Sequence, residues 1–79
     1  MKIGDPVVEA ICRALRERER YFDRRGVLNS DGRKLVARAA REARSLGLHI
    51  SAERAWELLR DPTMDKAVNL VVSLRGGCL

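Results

Sequence analysis

Histidine, cysteine and aromatic side chains are all scarce in this chain. There is one histidine (His49), and there are two cysteines (Cys12 and Cys78), in 79 residues. The cysteines form no CxxC pair, and with a single imidazole they do not make a zinc ligand set. No metal and no cofactor are expected. His49 has no acid placed to orient it, and no glycine-rich loop precedes a helix to cradle a phosphate, so the chain is read as a non-enzyme. Tyr21, Phe22 and Trp56 are the only aromatics, too few to stack a run of single-stranded bases. No apolar run is long enough to span a bilayer and no apolar h-region opens the chain. The expected location is therefore the cytoplasm, with Cys12 a buried thiol and Cys78 an exposed one, both reduced. A Cys12–Cys78 disulfide is the alternative, and nothing in the sequence supports it.

Lysine is scarce as well. Sixteen residues are Lys or Arg, and only Lys2, Lys34 and Lys66 are lysine. Such an arginine bias arises in GC-rich or warm-adapted sources, and it also suits phosphate or carboxylate recognition, because guanidinium is planar and bidentate. The formal net charge is +5, and it is unevenly spread. Residues 13–44 hold eleven bases against five acids, whereas residues 45–79 hold four of each. An electrostatic partner is expected to meet the central stretch.

What is present is helical periodicity. Asp5-Pro6 reads as a cap followed by a first-turn proline. The helix it opens is expected to run to Arg24 or Arg25 and stop at Gly26. Its apolar stripe is Val7, Val8, Ile11, Ala14, Leu15 and Phe22. Arg18 falls inside that stripe, which requires either a snorkelling stem or a local rotation of the helix. Ser30 or Asp31 is read as the cap of a second, alanine-rich helix running to Leu46 and ended by Gly47. Ser51 is read as the cap of a third, ended by Asp61-Pro62. Thr63 caps a fourth, over 64–74. That last segment also has strand propensity, but its cap and its 64/67/68/71/74 spacing favour helix. These elements predict an all-α single domain over residues 1–79, a small bundle of three to four short helices. The apolar arc of the last helix covers more than half its circumference, so that helix is either central in the core or half covered by a second subunit, and the reading preferred is a homodimer through Val68, Leu70, Val71, Val72 and Leu74.

Three surfaces are candidates for function. Arg13, Arg16, Arg20 and Arg24 fall on one side of the first helix, and Lys34, Arg38 and Arg41 on the outer face of the second, with Arg33 and Arg44 at its edge. Together they suit phosphate tracking; a solvated face laced with Glu9, Glu17 and Glu42 is the plainer alternative. The second and third helices have the spacing of a helix-turn-helix, but Glu53 or Arg54 falls where an apolar residue belongs, and two acids sit among the four exposed positions. The third surface is apolar: Trp56, or the wide face of the last helix. Leu74-Arg75-Gly76-Gly77 resembles the tail of ubiquitin-like modifiers, but those are strand-rich and nothing upstream supports the likeness.

The function expected from these residues is that of a small basic bacterial, archaeal or phage regulatory or accessory protein. It would bind nucleic acid, DNA before RNA, through the seven basic residues Arg13, Arg16, Arg20, Arg24, Lys34, Arg38 and Arg41. The alternative is a protein-interaction module, such as an inhibitor, an antitoxin-like protein or an adaptor, meeting an acidic protein partner. No membrane partner is expected.

Overall fold

Residues 4–78 are described by a computed structural model. Asp5 starts the first helix, α1 (Pro6–Arg16), by accepting hydrogen bonds from the backbone N–H groups of Val7 and Val8 at 2.9 and 3.4 Å. Its other carboxylate oxygen accepts from the Ser51 hydroxyl, which ties the start of α1 to a helix 46 residues away. Ser51 is thus a buried residue of the first turn of α4 (His49–Arg60) and not its cap. Leu48 holds the cap position of α4, without a side-chain bond.

The first helix ends earlier than its periodicity suggests. Glu17 leaves the helical region at φ −108° and ψ 47°, and a single turn, α2 (Arg18–Tyr21), follows. The break resolves the Arg18 conflict by rotation: Arg18 is exposed, while Tyr21 and Phe22 both enter the core. Phe22 is already extended and bridges Leu28. Asn29 then closes two ends at once. Its amide donates to the Arg20 carbonyl at 2.7 Å, and its oxygen accepts from Gly32 N–H at 2.9 Å. Asn29, and neither Ser30 nor Asp31, therefore caps α3 (Ser30–Ser45).

The connector 46–48 turns at Gly47, which adopts φ +80°, and α4 folds back along α3. These two helices form the most extensive packing in the molecule, followed by α1 on α3 and α1 on α5. The α3 face against them is Val36, Ala39, Ala40 and Ala43, and α4 answers with Ala52, Ala55 and Leu58. Small side chains let the two backbones approach closely, as a ridge of alanines must. Thr63 caps α5 (Met64–Arg75) through a bond from Lys66 N–H at 3.1 Å, so the ambiguous last segment is helix. The 22–29 loop is stitched to the 61–64 turn by Leu28 N–H to Pro62 O and Met64 N–H to Gly26 O, both 2.8 Å. Together the five helices give an all-α molecule of 36 × 22 × 18 Å, and none is long and apolar enough to cross a membrane.

Two sequence expectations are corrected here. The cysteines are not separate thiols: Cys12 and Cys78 form a disulfide, their Cα atoms 5.6 Å apart. The wide apolar arc of α5 is mostly internal. Leu70 and Val71 are 5% and 1% exposed within the chain's own core, and Leu74 packs on its edge. Only Val68 and Val72, at 43% and 53% exposed, remain on the outer surface of that helix.

Candidate nucleic-acid interface

The basic residues expected to form one face lie on separate parts of the surface. The break at Glu17 divides the row of the first helix. Arg13 and Arg16 stay on α1, Arg20 moves to α2, and Arg24 lies in the turn that follows. Glu17 also takes up two of these charges, pairing with Arg13 at 3.2 Å and with Arg20 at 3.6 Å. The same two guanidinium groups lie 5.9 and 5.3 Å from the ring centroid of buried Tyr21. Arg13 and Arg20 therefore shield an aromatic at the core edge as well as carrying charge. Arg24 lines a different groove, beside Glu19 and Asp23.

That turn is organised by Asp23. Its carboxylate accepts from Arg25 N–H at 2.8 Å and from Val27 N–H at 3.0 Å. The bond from Val27 is the main cause holding its pKa below the ordinary 3.8, with further help from the Arg25 N–H and the charges of Arg25 and Arg33; partial desolvation opposes them. Asp23 thus folds the turn and offsets charge nearby, which makes the Arg24 region a poor phosphate surface.

The α3 residues stay together. Lys34, Arg38 and Arg41 are exposed and, with Arg33, Ala37 and Leu59 of α4, line one open groove of about 400 Å³. Lys34, Arg38 and Arg41 have no carboxylate within 4.0 Å among the described residues. At 1.5 Å of rise per residue they spread over about 10 Å of the helix axis. Arg33, expected at the edge of this face, lines the same groove.

α4 does not add to this face as a reading helix. It buries Ser51, Ala52, Ala55 and Leu58, while Glu53 and Arg54 point outward, and Arg54 pairs with Glu57 at 3.2 Å. Trp56 is partly exposed on the same helix. His49 is an exposed first residue of α4, and no group of three or more metal-ligating side chains occurs among the described residues.

One functional candidate was invisible in the sequence. Arg75, at the end of α5, lines a groove of about 530 Å³ with Arg13, Arg16 and the disulfide. The residues are 59 and more positions apart, and only the packing of α5 on α1 unites them. No protein-family model matches the chain, and neither a curated protein nor a solved structure matches it.

Proposed function

We propose that this chain is a small regulatory or accessory protein that binds nucleic acid, DNA in preference to RNA, along the outer face of α3. The observation that carries the reading is the row Lys34, Arg38 and Arg41, with no carboxylate within 4.0 Å among the described residues and joined by Arg33 in one groove. Guanidinium and ammonium groups that meet phosphates release condensed counterions, and that release supplies affinity without base reading. The scarcity of exposed aromatics favours a duplex over single strands. Arg13, Arg16, Arg20 and Arg24 add long-range attraction and stand outside the contact surface.

Fluorescence anisotropy with a labelled duplex across a salt series tests the proposal. Each phosphate contact contributes about −0.9 to the slope of log K against log salt. Arg38→Ala with Arg41→Ala is expected to lower the magnitude of that slope by about 2. No binding at low salt, or a slope unchanged in the double variant, rejects it.

A second reading rests on Val68 and Val72, one turn apart on α5 and exposed. In it the chain is an interaction module whose apolar α5 face docks a protein partner or a second copy of itself, with the arginines meeting the partner where that partner is acidic. Recovery of one stoichiometric protein partner with no nucleic acid favours that reading. A monomer in sedimentation at high concentration rejects the homodimer.

A further inference from the structure

The groove between α1 and the C-terminal segment stands apart from the α3 face. Its charged wall is Arg13 and Arg16 from α1 and Arg75 from the last turn of α5. Arg13 is already engaged by Glu17, whereas Arg16 and Arg75 have no carboxylate within 4.0 Å among the described residues. The one acid of the lining is Glu9, whose carboxylate lies beside Gly4. The lining also takes in the chain after α5, at Gly77 and Cys78. Gly76 and Gly77 take φ +81° and +129°, a course L side chains rarely adopt, and deliver Cys78 onto Cys12. The Cys12–Cys78 bond is therefore itself part of the groove's lining, three residues beyond Arg75. Cys12 is buried, but Cys78 is exposed, so a thiolate can reach the bond from the Cys78 side. α5 itself is held by Ala67, Leu70 and Val71 in the core, independently of the bond.

We propose that this groove is a redox-gated site for a small polyphosphate-bearing ligand, complete only while Cys12 and Cys78 are joined. Its volume of about 530 Å³ suits a small molecule, and paired guanidinium groups suit phosphate oxygens bidentately. Opening is a two-electron reduction. A dithiol attacks the disulfide, passes through a mixed disulfide, and leaves as its own cyclic disulfide. The Cys12–Cys78 bond breaks, and each cysteine sulfur ends with one of the two protons the dithiol gave up. Residues 76–78 are then untethered, the part of the lining that Gly77 and Cys78 supply is lost, and Arg75 sits on a fraying helix end.

Isothermal titration of inorganic tripolyphosphate into the oxidised protein and into protein reduced with dithiothreitol, the reductant removed, tests this. Binding to the oxidised form is expected, with affinity lower by about tenfold after reduction, and lower by about tenfold in oxidised Arg75→Gln, in keeping with the loss of one charged hydrogen-bonding partner. Cys78→Ser is expected to behave as the reduced form while keeping its helical circular dichroism. Tripolyphosphate binding that is lost in Arg38→Ala with Arg41→Ala but kept in Arg75→Gln places the ligand on the α3 row and overturns the site, which separates this proposal from the α3 one. Equal affinity in the two redox states overturns the gate. Affinity unchanged in Arg75→Gln overturns the site. A response confined to a duplex oligonucleotide, with none to tripolyphosphate, overturns the small-ligand assignment.

Discussion

At the scale of single residues, two positions carry more than their type suggests. Gly32 lies in the first turn of α3, where alanine would be the better helix former by about 1 kcal/mol. A methyl group there would stand 2.5 Å from the Tyr21 carbonyl oxygen and 2.6 Å from a Leu28 methyl. The carbonyl belongs to backbone and cannot swing away. Gly32→Ala is therefore expected to destabilise by about 1–3 kcal/mol despite its propensity, read as a lower urea midpoint. Asp23 gives a pH signature. Its pKa is lowered on folding, so its contribution is fully present above the unfolded value and is lost as pH falls through the folded one. The stability gap between the wild type and Asp23→Ala is expected to be wider at neutral pH than at about pH 2. A gap that does not narrow on acidification would show that the turn does not depend on the ionised carboxylate.

At the scale of elements, the joints matter more than the helices. Asn29 closes the end of α2 and the start of α3 with the two ends of one amide. Asn29→Ala is expected to cost about 1–2 kcal/mol, at the high end for a cap because both bonds go together; thermal unfolding measures it. The four long helices were legible in the sequence, because their apolar spacing and the caps at Asp5 and Thr63 are local signals. The failures came where a tertiary partner overrode a local one. Ser51 has the chemistry of a cap, but its hydroxyl is turned to Asp5. Glu17 has no breaker chemistry, and the helix ends there because Tyr21 and Phe22 are both buried. The candidate sites divide in the same way. The α3 row follows from helical spacing alone and stayed whole, whereas the α1 row crossed an unseen break. Arg75 joined α1 through a packing that no spacing rule encodes.

At the scale of the whole molecule, the core is thin and the covalent closure is long. Eight of the nineteen buried apolar residues are alanine, so large side chains such as Ile11, Leu28 and Leu58 bear much of the burial. Leu58→Ala is expected to cost about 2–5 kcal/mol, a large share of the roughly 4–12 kcal/mol that a chain of this size holds. The disulfide spans 66 positions. By the chain-entropy account, closing a loop of that length stabilises by about 4 kcal/mol. Calorimetry of the oxidised and reduced protein is expected to show a lower thermal midpoint after reduction, with the native helical signal kept at low temperature.

The same bond makes most of the polypeptide a ring. From Cys12 to Cys78 the backbone and the sulfur bridge form one closed circuit, and the connections 22–29, 46–48 and 61–63 all lie on it. One protease cut in any of these connections opens the circuit without dividing the molecule. The nicked chain keeps its mass on a non-reducing gel and falls into two fragments only when thiol is added. In the oxidised state, a break that would halve a linear chain leaves every piece tethered within reach of its place.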